Sequence, residues 1–334
     1  MMILGVDGGA TKTLCTVADE NFVVLGVGVA GPCNFNVVGV REARKNVKLA
    51  IKRACSTLDL KNGVVEVGCF GISGLTTDSD YEVISDRIVP SNIAKKRIIV
   101  NDVVTAFYAV TNGKPGIAVV AGTGSIAYGM NSRGEKAVAG GWGWLMGDEG
   151  SAFDIARRGL NAAARACDGR GEETLMVNMF KEEFKVEDFK DVVSRVYQGV
   201  SSTKIASLSK IVFSAAEAGD KVAIKILEEA GEELGQLAVT IGRRLFVRDE
   251  SINIGVSGGV FKASNIPWEA FKKYVANFLP KALFIPPVSY PVVGALIIGY
   301  EKLGISINEE NKAFLLENLE EKIADLQNLS SEGI

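Results

Sequence analysis

The sequence predicts an α/β protein built from two domains of related topology with a cleft between them. Three short strands open the chain, alternating helices and strands follow, and the three-strand opening returns after about 110 residues. A length of 334 residues agrees with two domains, at about 150 residues each. The composition, 47% hydrophobic and 23% charged, is typical of a globular chain with a large buried core.

The first half predicts the order βββαβαβα. Its strands are short runs rich in β-branched residues, and its helices carry apolar residues three and four positions apart. The predicted strands are Ile3–Asp7, Leu14–Ala18, Phe22–Val29, Val65–Ile72 and Ile98–Asn101. The predicted helices are Val40–Leu58, Tyr81–Ile88 and Val103–Val110.

The second half starts with the same three-strand pattern and continues mainly as helices. The predicted strands are Ile117–Ala121, Ser125–Met130, Lys136–Ala139 and Ile252–Val256. The predicted helices are Ser151–Ala166, Val186–Tyr197, Lys204–Ala218, Asp220–Phe246, Val292–Leu303 and Glu309–Leu326. The segment from Pro280 to Pro291 holds four of the eight prolines and predicts a rigid connector.

These elements predict three parts. The first domain is 1–112, completed by helix 292–303, and the larger second domain is 113–291. A helical extension, 304–334, ends the chain.

Composition excludes several kinds of chemistry. The chain contains no His, which removes Ser-His-Asp triads, Cys-His pairs and HExxH zinc sites. Acid–base catalysis therefore depends on carboxylates, Lys, Tyr or Cys. The 37 basic and 40 acidic residues give a net charge of −3, which argues against nucleic-acid binding.

The cysteines and apolar runs predict a cytoplasmic protein without a membrane span. The five cysteines are scattered and form no CxxC pair, a pattern typical of reduced thiols. The opening apolar run is too short for a signal peptide, and Val292 to Tyr300 falls short of the roughly 20 residues that a membrane helix needs.

Glycine-rich turns follow several of the predicted strands. The turn between the first two strands, Asp7-Gly8-Gly9-Ala10-Thr11-Lys12-Thr13, combines glycines that admit a ligand close to the backbone with hydroxyls and a cation for phosphate oxygens. Asp7 is a candidate ligand of hydrated Mg²⁺. The alternative is a hairpin turn that is merely rich in small residues.

Two further turns resemble phosphate- or ligand-binding loops. Gly122-Thr123-Gly124-Ser125 occupies the equivalent hairpin position of the second half. Gly258-Gly259 follows a predicted strand and would allow a flat ligand to lie against the backbone, although an ordinary strand–helix turn has the same pattern.

Two segments carry acidic or aromatic candidates. Asp102 follows an apolar strand and precedes a helix, where it is either a ligand-site carboxylate or a helix N-cap. In the loop Gly140–Ser151, Trp142 or Trp144 could stack on a sugar ring, and Asp148 or Glu149 could accept hydroxyl hydrogen bonds. The alternative is a buried Trp beside carboxylates that serve the next helix.

Taken in order, these motifs resemble one family. DGGATKT, NDVVTAFYA, AGTGS, GGWGWLMGDEGS and VSGGVFK resemble the N-acetylglucosamine kinase branch of the BadF/BadG/BcrA/BcrD ATPase family, from Asp7 to about Leu303. The resemblance implies two ribonuclease-H-like (actin-like ATPase) domains that flank a nucleotide- and sugar-binding cleft. It also implies ATP and Mg²⁺ as cofactors and a homodimer.

The resemblance further implies roles for individual residues. ATP and its phosphates would be bound by Gly8, Gly9, Thr11, Lys12, Thr13, Gly122, Thr123, Gly124, Ser125, Gly258 and Gly259. The sugar would be bound by Asn34, Ser73, Asp102, Trp142, Gly143 and Asp148. Asp102 would be the catalytic base, and Asp7 would hold Mg²⁺ through water.

The expected activity is ATP-dependent phosphorylation of a hydroxyl of an amino sugar or hexose, with N-acetylglucosamine or glucosamine preferred. Three alternatives stay open. A sugar-acid kinase for 2-keto-3-deoxygluconate would use the same scaffold. An ATPase activator of a radical acyl-CoA dehydratase or reductase would need bridging cysteines, and a sugar-responsive repressor would need a DNA-binding segment, for which the six residues before Asp7 leave no room.

Overall fold

The computed structural model describes residues 1–58, 64–198, 201–247 and 250–331. Residues 332–334 of the predicted C-terminal extension lie outside this range. The chain forms two compact units, one made of residues 1–114 and 290–334 and the other of residues 115–289. Each unit is built on a five-stranded mixed sheet, so the predicted α/β class is confirmed.

The elements of the described residues are numbered in chain order. The strands are β1 (Met2–Gly8), β2 (Thr13–Asp19), β3 (Val24–Ala30), β4 (Val65–Ile72), β5 (Ala94–Val100), β6 (Gly116–Ala121), β7 (Ser125–Met130), β8 (Lys136–Gly140), β9 (Ile252–Ser257) and β10 (Ala282–Val288). The helices are α1 (Phe35–Ala54), α2 (Asp78–Val83), α3 (Asp102–Thr111), α4 (Ala152–Cys167), α5 (Met176–Phe184), α6 (Lys190–Tyr197), α7 (Ser202–Ala206), α8 (Ser209–Glu217), α9 (Lys221–Leu245), α10 (Gly259–Ala263), α11 (Ile266–Phe278), α12 (Val292–Lys302) and α13 (Glu309–Ser331).

The sheet of the first unit has the strand order β3-β2-β1-β4-β5. β1, β4 and β5 run parallel, so their carboxyl ends meet at one edge of the sheet. Asp7 pairs with Gly71 of β4, and Gly71 pairs with Val100 of β5. The register therefore brings Asp7 and the residues after Val100 to the same edge, where open α/β sheets bind ligands.

Helices cover both faces of this sheet. α1 buries Val47 and Ile51 in a cluster with Val6 and Phe70 of the sheet. On the other face α12 is buried from Val292 to Tyr300, as expected for a helix that is apolar all round.

Close contact between α3 and α12 holds α3 in place. At Gly294 a Cβ atom would lie 1.8 Å from the carbonyl oxygen of Thr105 in α3. Only glycine permits this close approach of the two helices.

The last helix also contributes to the core of the first unit. Leu315 and Leu319 of α13 are fully buried in a cluster that includes Ile3 and Val24. The end of the chain therefore covers apolar surface of β1–β3.

Leu319→Ala is expected to lower the free energy of unfolding by about 3 kcal/mol, because it leaves a cavity in this cluster. Leu326→Ala, at a 40% exposed position of the same helix, is the matched control and should cost less than about 0.5 kcal/mol. Urea unfolding followed by tryptophan fluorescence and far-UV circular dichroism measures both. Equal losses for the two variants would contradict the assigned packing of α13.

The sheet of the second unit repeats the arrangement of the first, with the order β10-β9-β6-β7-β8. β6, β7 and β8 are antiparallel, and β9 and β10 extend the sheet in parallel from β6. The long helix α9 buries Leu227, Ala230, Leu234 and Ile241, which belong to the predicted apolar stripe. The predicted three-strand repeat is thus present in both sheets.

The prediction that Pro280 to Pro291 form a rigid connector is wrong, because most of this segment is strand β10. β10 is the edge strand of its sheet, and the register shifts between Ile285 and Val288, where Pro286 and Pro287 lie. An edge strand with a bulge tolerates residues that cannot donate to the ladder.

Several helix boundaries differ from the prediction. α5, α10 and α11 are helices that the sequence pattern did not predict, and the predicted helix Lys204–Ala218 is two helices, α7 and α8. The stretch predicted as helix Tyr81–Ile88 ends as a π-helical turn, Ile84–Ile88. Within the described residues, no helix has both the length and the apolar character needed to cross a bilayer.

α1 begins five residues earlier than predicted. Asn34 caps it by accepting a hydrogen bond from the backbone N–H of Asn36, and Gly39, with φ of 78°, interrupts the helical backbone. The predicted start at Val40 corresponds to the helix after this break.

Candidate active site

The hairpin between β1 and β2 forms the first glycine-rich turn. The N–H of Gly9 donates to the carbonyl of Lys12 at 2.9 Å, which closes the turn. Gly8 is enclosed, since a Cβ there would lie 2.2 Å from the Sγ of Cys33 and 2.9 Å from the Cδ1 of Ile72. Gly9 is more open, with the carbonyl of Lys12 at 3.5 Å from the position of its Cβ.

Thr13 does not offer its hydroxyl to a ligand in this structure. Its side chain is fully buried, and its Oγ1 donates to the carbonyl of Gly31 at 2.8 Å. Thr11 and Lys12, in contrast, are exposed in the turn. The exposed side chains of Thr11 and Lys12 are therefore the groups of this turn that can reach a ligand.

Asp102 is the first residue of α3, and it is not the helix cap. Asn101 caps α3, because its Oδ1 accepts a hydrogen bond from the N–H of Val103 at 2.9 Å. The carboxylate of Asp102 lies at the edge of the sheet that it shares with Asp7, where it accepts hydrogen bonds from the backbone N–H groups of Val103 and of Asp102 itself.

The electrostatics of this edge favour protonation of both aspartates. Burial raises the pKa of Asp102 to about 7, and the negative charge of Asp7 adds to the shift. Burial also raises the pKa of Asp7 to about 6, against the opposing effect of the Lys12 ammonium. A carboxylate with a pKa near neutrality is well suited to act as a general base.

Cys33 lies close to both carboxylates. Burial raises its pKa to about 12, and the charges of Asp102 and Asp7 contribute. The thiol therefore stays protonated at neutral pH. The backbone N–H of Cys33 donates to the carbonyl of Gly9 at 3.1 Å, and this hydrogen bond connects the segment after β3 to the first turn.

Ser73 and Asn34 lie near the same edge. The N–H of Ser73 donates to the carbonyl of Gly8 at 2.8 Å, whereas its buried Oγ has no hydrogen-bond partner among the described residues. The Oδ1 of Asn34 lies 2.9 Å from where a Cβ of Gly74 would stand. A buried hydroxyl without a partner is the type of group that a polar ligand satisfies.

The second unit carries the equivalent turn between β6 and β7. The N–H of Gly122 donates to the carbonyl of Gly124 at 2.9 Å, and a Cβ on Gly122 would meet nothing within 4 Å. The Oγ of Ser125 donates to the carbonyl of Glu149 at 2.8 Å, so this buried hydroxyl is already used. Gly122 thus marks the open side of the turn.

Asp148 packs against this turn. Its Oδ1 accepts a hydrogen bond from the N–H of Ser125 at 3.1 Å, and a Cβ on Gly124 would lie 2.7 Å from its Oδ2. Burial raises the pKa of the Asp148 carboxyl. Its φ of 62° is uncommon for a residue other than glycine, which indicates that the loop conformation is held by these contacts.

Trp142 is exposed, whereas the alternative interpretation required a buried ring. Its side chain is 69% exposed, and Gly143 has φ of 81°. Trp144 contacts Phe153 with ring centroids 5.4 Å apart. The loop therefore presents an aromatic surface at Trp142 that a sugar ring could cover.

Gly258 and Gly259 differ in their surroundings. A Cβ on Gly258 would lie 2.3 Å from the carbonyl oxygen of Ala121, and its φ is 110°. A Cβ on Gly259 would meet nothing within 4 Å. Gly258 is therefore required by backbone packing, and only Gly259 faces open space.

The structure brings the candidate residues together in two groups. In the first unit Asp7, Gly8, Cys33, Ser73 and Asp102 lie around the carboxyl ends of β1, β4 and β5. In the second unit the turn Gly122–Ser125, Asp148 and Gly258 lie around the carboxyl end of β6.

Sequence reasoning missed Asn101 and the contact of Asp148 with Ser125. The Asn-Asp pair at a strand end is a signal for the first, because Asn is a preferred cap. The contact of Asp148 joins residues 23 positions apart and has no local signal.

Two mixed sheets with the same strand order, each with a glycine-rich hairpin beside its central strand, define the actin-like fold of two ribonuclease-H-like domains. Residues 4–299 match the BadF/BadG/BcrA/BcrD ATPase family, and the chain belongs to it. ATP use follows from membership of this ATPase family.

Three proteins illustrate the similarity. The chain is 32% identical over 297 residues to N-acetylmuramic acid/N-acetylglucosamine kinase of Clostridium acetobutylicum, which covers 89% of this chain and 97% of that protein. It is 28% identical over 311 residues to N-acetyl-D-glucosamine kinase of Dictyostelium discoideum, with the same coverage of each. A solved structure from Chromobacterium violaceum, provisionally described as an N-acetylglucosamine kinase, shares the fold with a TM-score of 0.72, 24% identity and coverage of 89% of this chain and 98% of that chain.

Proposed function

We propose that this protein is an ATP-dependent kinase that phosphorylates a hydroxyl of an amino sugar or hexose, with N-acetylglucosamine or glucosamine as the preferred acceptor. The observation that carries the proposal is the placement of the Asp102 carboxylate beside Asp7 at the carboxyl ends of the parallel strands β1, β4 and β5. The two curated relatives that match most of the chain support the acceptor class.

In the proposed reaction Asp102 takes the proton of the attacking hydroxyl. The sugar oxygen forms a bond to the γ-phosphorus of ATP, the bond from that phosphorus to the β–γ bridging oxygen breaks, and ADP leaves. Because phosphoryl transfer depends mainly on positioning and on charge stabilisation, the base and the phosphate contacts together account for the chemistry.

We assign the phosphate contacts to Thr11 and Lys12 in the turn that Gly8 and Gly9 shape, and to the open turn around Gly122. The buried hydroxyls of Thr13 and Ser125 support the two turns from within, since both already donate to carbonyls. Gly259 is the position that we assign to the nucleotide, because a Cβ there would point into open space.

The residues of the first unit fit Mg²⁺. Asp7 supplies carboxylate oxygens next to the first glycine-rich turn, and no group of three or more metal-ligating side chains exists in the described part of the chain. Mg²⁺ is usually held by one or two carboxylates together with water and substrate phosphates. When bound, it would neutralise charge on the transferring phosphoryl group, with Asp7 holding it through water.

Ser73, Asn34, Trp142 and Asp148 are the residues that we assign to the sugar, with Gly143 beside Trp142. Ser73 offers a buried hydroxyl without a partner, and Trp142 offers an exposed ring. Asp148 would have to share its carboxylate with the N–H of Ser125, to which it is bonded.

ADP release measured with a set of acceptors tests the proposal. The set is N-acetylglucosamine, glucosamine, N-acetylmuramic acid, glucose and 2-keto-3-deoxygluconate. Turnover should be highest with the amino sugars. Turnover only with the sugar acid would favour the alternative sugar-acid kinase, and turnover with none of the five would contradict the proposal.

The cysteines argue against the activator alternative. Cys15, Cys33 and Cys69 are buried, Cys55 is half-buried, and Cys167 is exposed. A cluster that bridges two copies needs several accessible thiols per copy. Purified protein should therefore be colourless and contain no iron.

A pH–rate profile tests the electrostatics of the carboxylate pair. Because the base must be deprotonated, kcat/KM should fall as the pH drops through about 7, the raised pKa of Asp102. Asp7→Asn removes the negative charge that adds to this pKa shift. The fall in kcat/KM on the acidic side of the pH–rate profile, the acidic limb, should therefore move to lower pH.

Asp86→Asn, at an exposed position, is the charge control for this experiment and should leave the limb in place. Steady-state ADP release between pH 5 and 9 gives both profiles. A limb that stays at the same pH in Asp7→Asn would contradict the coupling of the two carboxylates.

We also propose that the protein is cytoplasmic and forms a homodimer, as the family resemblance implies. Light scattering coupled to size-exclusion chromatography measures the mass against the 35.5 kDa of one chain. A mass of one chain at micromolar concentration would contradict the dimer.

A further inference from the structure

Asn101 uses both ends of its side-chain amide. Its Oδ1 accepts a hydrogen bond from the N–H of Val103 at 2.9 Å, and its Nδ2 donates to the carbonyl of Leu75 at 2.8 Å. The first contact holds the start of α3, and the second holds the segment that follows β4. One side chain therefore joins the loops that leave two neighbouring strands.

The segment Ser73–Leu75 is held by polar contacts along its length. The N–H of Ser73 donates to the carbonyl of Gly8 at 2.8 Å, and the Nδ2 of Asn36 lies 3.5 Å from the carbonyl oxygen of Gly74. The contact from Asn101 to Leu75 is the shorter of the two side-chain contacts. It restrains the segment that directly follows Ser73.

We infer that Asn101 is a positioning residue that sets the Asp102 carboxylate relative to the Ser73 hydroxyl. This inference rests on the proposed function, in which Asp102 activates the sugar hydroxyl and Ser73 binds the sugar. Asp102 is the first residue of the helix that Asn101 caps, and Ser73 lies two residues before the carbonyl that Asn101 holds. Both groups therefore shift if the amide is lost.

The consequence for catalysis is a change in how the sugar is presented to the base. An acceptor hydroxyl must lie within hydrogen-bond distance of the Asp102 carboxylate, and displacement by about 1 Å can lower the rate by up to about 10²-fold. The Ser73 hydroxyl would anchor the sugar at a distance from Asp102 that Asn101 determines. The residues that we assign to ATP do not include Asn101.

Asn101→Ser separates the two roles of the side chain. Serine caps a helix about as well as asparagine, whereas it is too short to reach the carbonyl of Leu75. We expect kcat/KM for the sugar to fall by about 10-fold or more, with KM for ATP within about twofold of the wild type and Tm nearly unchanged.

Asn101→Asp provides a second, nearly isosteric test. It keeps the cap acceptor and loses the donor to Leu75, and it adds a negative charge beside Asp102. Like Asn101→Ser, it should lower kcat/KM for the sugar by about 10-fold or more and leave KM for ATP within about twofold of the wild type. A merely structural role of Asn101 would lower Tm without this difference between sugar and ATP.

Asn131→Ser is the matched control in the second unit. The Oδ1 of Asn131 accepts hydrogen bonds from the N–H groups of Arg133 and Glu135, both at 3.0 Å, and its Nδ2 donates to the carbonyl of Leu245 at 3.0 Å. Its loss should lower Tm and leave KM for sugar and ATP unchanged.

Hydrogen–deuterium exchange makes the test independent of the acceptor. In Asn101→Ser, peptides that cover Ser73–Leu75 should exchange faster, whereas the start of α3 should keep its protection. If the wild type phosphorylates no sugar, the proposed function fails, and exchange alone decides whether Asn101 restrains this segment. Unchanged exchange at Ser73–Leu75, or unchanged kcat/KM in an enzyme that phosphorylates sugar, would overturn the inference.

Discussion

Asp102→Asn is expected to lower kcat by at least about 10²-fold, with binding of ATP little changed, because general-base catalysis typically contributes about 10²–10⁴-fold. The asparagine side chain keeps the size of the aspartate and loses the ability to accept a proton. Steady-state ADP release gives kcat, and isothermal titration with ATP gives its affinity.

The same substitution is expected to stabilise the folded protein above neutral pH. The pKa of Asp102 is raised in the folded state from the ordinary 3.8 to about 7, so the folded protein holds this proton more tightly than the unfolded chain does. The contribution of the group to stability is therefore fully present below pH 3.8 and is lost as the pH rises through about 7. Asparagine does not ionise, so Tm of the variant should exceed that of the wild type at pH 8, and the difference should shrink towards pH 4.

Asp78→Asn is the matched control for both effects, because Asp78 is also the first residue of a helix, α2. It is exposed and should change neither kcat nor the pH dependence of Tm appreciably. Near-normal turnover of Asp102→Asn would contradict the assignment of Asp102 as the general base. A Tm of Asp102→Asn below that of the wild type at pH 8 would contradict the assigned burial of the charge.

Gly258→Ala is expected to destabilise the second unit strongly. The new Cβ would lie 2.3 Å from the carbonyl oxygen of Ala121, at a residue with φ of 110°. Backbone strain of about 1–3 kcal/mol and overpacking of about 1–3 kcal/mol together predict a loss of about 2–6 kcal/mol. For a unit of this size Tm falls by roughly 2–4 °C per kcal/mol, so it should drop by at least about 4 °C.

Gly259→Ala should behave differently, because its Cβ would meet nothing within 4 Å. Tm should stay within about 2 °C of the wild type. If the nucleotide lies against this position, KM for ATP should rise by about 10-fold, since the methyl group occupies space that the ligand needs.

Thermal unfolding gives Tm and titration gives the ATP affinity of each variant. Together these values distinguish an effect on packing from the loss of a ligand contact. Gly219→Ala, also at a positive φ with open surroundings, controls for backbone strain alone. A stable Gly258→Ala variant would contradict the assigned backbone packing. Unchanged ATP affinity in Gly259→Ala would remove Gly259 from the nucleotide site.

Much of the fold was predictable because its signals are local. The short β-rich runs at Ile3–Asp7 and Ile117–Ala121 mark the central strands of the two sheets, and the apolar stripe from Leu227 to Leu245 marks the long helix α9. β10 was not predictable in this way. Pro286 and Pro287 argue against a strand unless the strand lies at a sheet edge, and only the tertiary arrangement shows that it does.

The candidate site was likewise predictable only in part. The glycine-rich turns at Gly8 and Gly122 and the strand-end Asp102 are visible in the sequence, because residue type and position already indicate close approach to a ligand. The sequence does not show whether each group is already hydrogen-bonded within the protein. The hydroxyl of Thr13 is consumed by Gly31, whereas that of Ser73 has no partner in the described residues, and both residues look alike in the sequence.

The absence of His restricted the possible bases to carboxylates, Lys, Tyr or Cys, and the order of the motifs indicated a family resemblance that implies ATP and a base at Asp102. Only the folded chain decided the surroundings of each aspartate. Asn101 caps α3, and Asp102 has a raised pKa beside Asp7, while Asp148 accepts a hydrogen bond from Ser125 of the second turn. The physical reason is that residue type sets what a group can do, whereas burial and long-range hydrogen bonds set whether it remains available to do it.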